Sequence, residues 1–216
     1  MTDFWLLLNG TVDSAFGEIA IMTLWEIVAV ILAIAYLWLA MKASIWCWPA
    51  ALFSTAIYTV LFWNVALLME SLLNVYYMVM AIYGFWMWTR GGKQHHGVEI
   101  ISWSWQRHLL LCVVTAVIAL AVGYFMANHT HASFPYLDAA TSCFAVMTTY
   151  LVAKKVLENW FYWVVIDLIS IYLYFSKGLF LTSILFVFYV GMAVAGYFLW
   201  RSHMEQQQDN QIAIQD

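Results

Sequence analysis

Charge is what this sequence has least of. Only 9% of its 216 residues are Asp, Glu, Lys or Arg, against about a quarter in an ordinary soluble domain. A chain that is 65% hydrophobic cannot cover a globular surface with polar groups. Lipid must therefore be its solvent. Eight basic residues face twelve acidic ones, net −4, with no basic stripe, which excludes nucleic acid as a partner. Cysteine is scarce too. Cys47, Cys112 and Cys143 are odd in number, sit in or beside apolar runs and lack metal-ligand spacing. Neither a disulfide framework nor a zinc site is expected, and the three read as small apolar core residues. His95-His96 and His129-x-His131 fall in loops without a third ligand, so neither a metal nor another cofactor is expected. No histidine lies inside an apolar run and no nucleophile–base pair is visible. A membrane-embedded enzyme is thereby disfavoured against a non-enzyme. Residues 1–17 hold the apolar patch Phe4-Trp5-Leu6-Leu7-Leu8 with no basic stretch before it. That patch is too short to span and is not a signal peptide; it reads as an interfacial or subunit-packing segment.

What is abundant is aromatic. Trp, Tyr and Phe make up 19% of the chain, with 13 Trp. That exceeds the need of an interfacial belt, so the surplus lines or packs something. Residues 70–88 and 182–200 are one helix written twice. They agree without a gap at Ser71/Ser183, Leu73/Leu185, Val75/Val187, Tyr77/Tyr189, Met80/Met192, Ala81/Ala193, Gly84/Gly196 and Trp88/Trp200. Each copy is about as long as a bilayer is thick, and duplicated halves are a common plan for small-molecule transporters.

Seven apolar stretches are read as helical spans, at about 19–41, 46–66, 68–89, 108–128, 136–153, 159–176 and 178–200. Strands of a lipid-facing barrel would alternate instead. With the N-terminus outside, the outer loops receive only Lys177. The inner side receives Lys42, Arg90, Lys93, Arg107, Lys154, Lys155 and Arg201. This asymmetry predicts an external N-terminus and a cytoplasmic C-terminus. Spans one to three match spans five to seven, and the fourth restores their common orientation. The expected fold is an all-α membrane protein of seven transmembrane helices with 3+1+3 parallel repeats. The segments are 1–17 (interfacial), 18–89 (first repeat), 90–135 (basic loop and linker helix), 136–202 (second repeat) and 203–216 (polar tail, variable or disordered). Glu26 corresponds to Asp138. Trp46-Cys47-Trp48 and Trp160-Phe161-Tyr162-Trp163 open spans two and six, with a shift of two or three residues between them.

Polar residues in a span need a reason, because each is costly in hydrocarbon. Asp167 lies mid-span, and Trp160, Trp163, Asp167, Ser170 and Tyr174 share one helical face. Span three aligns Glu70, Asn74, Tyr77, Ala81 and Gly84 in the same way. Its copy carries Phe186 in place of Asn74, as two halves gripping different ends of an asymmetric ligand would. Span five offers Asp138, Thr141 and Thr148, and span two Trp48, Thr55 and Tyr58. The candidate substrate-binding residues are Trp163, Asn74, Trp160, Asp167, Tyr77, Trp48, Thr148 and Tyr58. Structural readings stand beside these. Asn74 and Thr148 suit hydrogen bonding between helices, worth about 0.6–2 kcal/mol. Trp46 and Trp160 suit a belt at the membrane boundary, and Asp167 a bond to a buried hydroxyl. Glu26 and Asp138 suit the helix dipole, and Gly84 and Gly196 close helix packing. Indoles, phenols, an amide and a carboxylate fit a flat ring with hydrogen-bonding arms. A cationic ring would gain about 0.5–2 kcal/mol from each good Trp contact. No deep Lys or Arg is present to hold a phosphate.

Five stretches carry a resemblance to a known family: WEIVAVILAIAYLWLA, IWCWP, LLNVYYMVMAIYGFWMW, LDAATSCFAVMTTYLVAKK and ENWFYWVVIDLISIYLYFSKGLFLTSILF. Over residues 20–202 the chain resembles the PnuC vitamin transporters. The WxxW of Trp160 and Trp163 with Asp167, and the NxxY of Asn74 and Tyr77, resemble that family's motifs. The resemblance implies a fold related to SWEET-type sugar transporters and a homotrimer in the bacterial inner membrane. It implies facilitated diffusion of the vitamin B3 precursor nicotinamide riboside by alternating access. A cytoplasmic nicotinamide riboside kinase, feeding NAD biosynthesis, would trap the substrate. Another flat-ring B vitamin, such as thiamine or riboflavin, fits the same pocket chemistry. A receptor or structural subunit is the remaining alternative.

Overall fold

A computed structural model of the chain describes residues 24–64, 68–92, 97–130 and 134–215. The segment 1–17 and His95, His96 and His131 lie outside the described residues. Among the described residues there are seven helices, as expected: α1 Leu24–Met41, α2 Cys47–Asn64, α3 Leu68–Arg90, α4 Trp105–His129, α5 Pro135–Ala153, α6 Asn159–Ser176 and α7 Phe180–Gln215. Continuous apolar sequence forces this form, since a helix satisfies its backbone polar groups within itself. Pro135 opens α5 at a position whose N–H has no helical partner anyway. Three stretches are long and apolar enough to cross a membrane by themselves: α1, α4 and Thr182–Asp209 within α7. The other four helices carry most of the Tyr, Thr, Ser and Asn, which lowers their hydropathy.

The helices close into a ring. α1 packs on α2, α2 on α3, α3 on α5, α5 on α6, α6 on α7, and α7 returns to α1. α4 stands outside, packed along α5, and reaches α6 where His108 Nδ1 lies 3.0 Å and Cys112 Sγ 3.3 Å from the Tyr162 hydroxyl. The two contacts that close the ring are equivalent. In each, the third helix of one half meets the first helix of the other.

Local features of the two halves match in register at a spacing of 112 residues. Ala43 and Lys155 both take φ 50, a left-handed conformation rare for non-glycine residues. The bonds Ala43 N–H to Ala40 O and Lys155 N–H to Val152 O are both 2.9 Å. Those from Ser44 to Leu39 and from Val156 to Leu151 are both 3.0 Å. Ser71 Oγ donates to Thr59 O at 2.9 Å, and its mate Ser183 Oγ reaches Ile171 O at 3.5 Å. Trp48 is therefore the partner of Trp160. The shift of two or three residues inferred from the Trp46 cluster is wrong, because the shared turn holds both helix starts in one register.

The link before α4 is pinned to the second half. Ile101 N–H donates to Lys155 O at 3.0 Å and Leu157 N–H to Ile101 O at 2.8 Å. The Glu158 carboxylate accepts from Ser102 Oγ and, at 3.3 Å, from Trp103 N–H. It also lies 3.4 Å from His108 Nε2. α7 continues to Gln215 where a disordered tail was expected. Glu and Gln are good helix formers, and Arg201 pairs with Glu205 one turn on at 3.0 Å.

Candidate functional site

Four tryptophans lie together at the basic end of the ring. Trp48 meets Trp88 edge-on at 5.3 Å and 86°, and Trp160 meets Trp200 at 5.4 Å and the same 86°. Trp88 and Trp200 join the pairs at 6.0 Å. The Trp200 indole N–H donates to Ala40 O at 2.8 Å. Its mate Trp88 donates to Ala153 O at 3.2 Å and Val152 O at 3.3 Å. Each bond runs from the third helix of one half to the first helix of the other. Gly84 and Gly196 make room for the rings. A Cβ at Gly84 would overlap Trp48, and one at Gly196 would lie 2.7 Å from Trp160. The expected packing role of these glycines is what the geometry provides. Trp160 is 1% exposed, so it is no belt anchor, whereas Trp46 is 68% exposed and can serve as one. The indole N–H groups of Trp48 and Trp160 are buried without a partner among the described residues.

Several phenols and one carboxylate lie further along the helices of the ring. Asp167 on α6 is 4% exposed, and no described residue donates a hydrogen bond to it. Tyr189 on α7 is within electrostatic reach of Asp167 and of Tyr58 on α2. Tyr77 on α3 is within reach of Tyr174 on α6, and Tyr36 on α1 is within reach of Tyr77. These groups come from five helices of the ring. Trp163 is half-buried against the tryptophan cluster, one turn below Asp167. Asp167, Tyr58 and Tyr77 belong to this linked set of groups, and Trp163 packs on the cluster that contains Trp48 and Trp160. Thr148 is fully buried and donates to Phe144 O in its own helix at 2.7 Å. Asn74 Nδ2 donates to Glu70 O at 2.9 Å, also within its own helix. Neither forms the interhelical bond that a purely structural role would use. Each has spent a donor and keeps an acceptor. Nor does Asp167 pair with a hydroxyl.

Tyr36 and Tyr189 were not among the candidates from sequence. Tyr189 carried a signal, since it is the repeat mate of Tyr77. Tyr36 carried none, because its mate is Thr148 and only ring closure brings it to Tyr77.

The basic groups stay at the ends. Burial in its turn lowers the Lys155 ammonium below the ordinary lysine range, with nearby Cys47 and Glu99 opposing the shift. Its Nζ lies 4.5 Å from the centre of the Trp88 ring. Lys177, at the other end, binds both Asp138 oxygens at 3.1 Å. The described Lys and Arg fall in turns, near helix ends or, for Arg201, on the exposed surface of α7.

This arrangement has relatives. The chain is 24% identical over 177 residues to the nicotinamide riboside transporter PnuC of Escherichia coli, covering 69% of this chain and 73% of that one. It is 25% identical over 179 residues to the riboflavin/roseoflavin transporter RibM of Streptomyces davaonensis, covering 81% and 83%. A crystal structure of the vitamin B3 transporter PnuC superimposes with a TM-score of 0.69 over 94% of this chain and 92% of that one, at 22% identity. The fold is therefore that of a PnuC transporter, a multi-pass membrane protein. Residues 23–202 match the family described as nicotinamide mononucleotide transporter, and the chain, with all seven helices begun inside that match, belongs to this PnuC family of transporters.

Proposed function

We propose that the protein carries nicotinamide riboside across the bacterial inner membrane. The observation that carries the reading is the interior of the ring. An unpaired carboxylate and several aromatic rings are present there, without a described cation that could neutralise a phosphate. Nicotinamide riboside offers a cationic ring, a carboxamide and sugar hydroxyls. Trp163 stacks on the ring, with Trp48 and Trp160 beneath it. Asp167 faces its charge, and Asn74, Tyr77, Tyr58 and Thr148 meet its polar arms. The mononucleotide would bring a phosphate into a site with nothing to balance it, which is costly.

All seven helices span, as 3+1+3 parallel repeats of the SWEET type, with the N-terminus outside and the C-terminus in the cytoplasm. The equivalent ring-closing contacts support two rocking halves and alternating access. Transport is facilitated diffusion, with trapping by a cytoplasmic nicotinamide riboside kinase, and the working unit is a homotrimer. Among relatives, a riboflavin/roseoflavin transporter supports a second reading, in which another flat-ring vitamin such as riboflavin or thiamine is the substrate. Binding to purified protein separates these readings. Nicotinamide riboside should bind at least tenfold more tightly than its mononucleotide, thiamine or riboflavin. Tighter binding of any of the other three would replace it.

A further inference from the structure

We propose that Trp48, Trp88, Trp160 and Trp200 are the cytoplasmic gate of the ring, held shut in this structure. The inference rests on the transport reading for its purpose, but its geometry is independent of the substrate.

Transport requires an element with two arrangements that both halves share. The tetrad is where the halves touch across the pseudo-twofold axis. Trp88 and Trp200 meet there at 6.0 Å. Each then donates its indole N–H to the opposite half, to the turn at Val152 and Ala153 or to Ala40. A rotation of one half against the other must break both sets of bonds together. Between these rings and the basic turns no space is left. Trp48, Trp160, Trp200, Ala40 and Ala153 are all 2% exposed or less.

The same cluster also favours opening. Two of its four indole N–H groups, on Trp48 and Trp160, are buried without an acceptor. A buried donor left unpaired is a penalty that water removes on exposure. Closed-state bonds on Trp88 and Trp200 are thus opposed by unpaired donors on Trp48 and Trp160. An interface balanced in this way switches between two states with a small bias.

Cys47 reports on the gate. It precedes Trp48, is 0% exposed and lies within electrostatic reach of Lys155 of the other half. Opening would bring it to the cytoplasmic solution. With Cys112→Ser and Cys143→Ser as background, inside-out vesicles are treated with a membrane-impermeant maleimide and Cys47 modification is timed by mass spectrometry. Trp200→Phe and Trp88→Phe keep a ring but delete the bond across the halves. Each should speed modification at least threefold, whereas Trp46→Phe, outside the tetrad, should leave it unchanged. Nicotinamide riboside uptake is measured on the same vesicles. Equal Cys47 rates with and without the two bonds, in folded variants that still take up the riboside, would overturn the gate and leave the transport reading intact. Faster rates in a protein that carries no riboside would support the gate and remove that reading.

Discussion

Phe186 stacks on Tyr174 at 5.2 Å with planes 26° apart, and its repeat mate, Asn74, has no ring to offer. Phe62, the mate of Tyr174, stacks instead on Tyr58 at 5.5 Å and 15°. One half fills its own aromatic slot and the other leaves a polar side chain there. The halves differ here as they do at Asp167 and Thr55, and such differences would let a twofold scaffold hold a ligand with unlike ends.

Asn74→Phe should restore the symmetry and close the slot. Uptake of nicotinamide riboside is expected to fall more than tenfold with the protein folded and the same size on gel filtration. Asn74→Ala, which removes a polar contact worth about 0.5–1.5 kcal/mol, should weaken binding only about two- to tenfold. Titration calorimetry on both variants separates filling from loss of the bond.

Trp163 is the indole closest to Asp167 along α6 that is not sealed into the tryptophan cluster. Trp163→Ala should cost about 0.5–2 kcal/mol of binding, or roughly two- to thirtyfold in Kd. Trp163→Phe should recover part of it. The loss should be smaller for an uncharged flat ring, since only the cationic ring gains from the indole quadrupole.

Gly84 and Gly196 should tolerate no side chain. Alanine at either would force the facing indole aside, at about 1–3 kcal/mol, the usual cost of overpacking. Gly191, on the same helix as Gly196, has nothing within 4 Å of a built Cβ. Gly191→Ala should be neutral or stabilising by up to about 1 kcal/mol through helix propensity. Thermal unfolding in detergent would show the contrast.

Glu158 ties the link before α4 to the second half through Ser102, Trp103 and His108. Glu158→Ala should free residues 97–104. Trypsin cleavage at Arg107 should then speed several-fold while the helical signal stays constant.

Much of this was legible in the chain. Interior helix ends were read to within about three residues, because Lys42, Arg90, Lys154 and Lys177 mark where apolar runs stop. The repeat in α3 and α7 was readable because packing residues such as Gly84 and Trp88 tolerate no change. The other half of the repeat was misread around Trp46. Its identity there is kept by backbone geometry at Ala43 and Lys155, where the side chains differ. Sequence also cannot say which tyrosines meet. Tyr36 and Tyr77 are on the first and third helices of one half, and only closure of the ring turns them to a common space. The helix beyond Trp200 was missed because its polarity resembles that of a tail, while its Glu and Gln residues favour helix.

Passage of an unphosphorylated, flat, cationic substrate can be measured directly. The direct measurement is uptake of labelled nicotinamide riboside into liposomes holding only this protein, with no ion gradient, against an excess of the mononucleotide or of thiamine. Unchanged riboside should enter until inside and outside are equal, with little competition from either. No uptake, or uptake abolished by the mononucleotide at equal concentration, would contradict it.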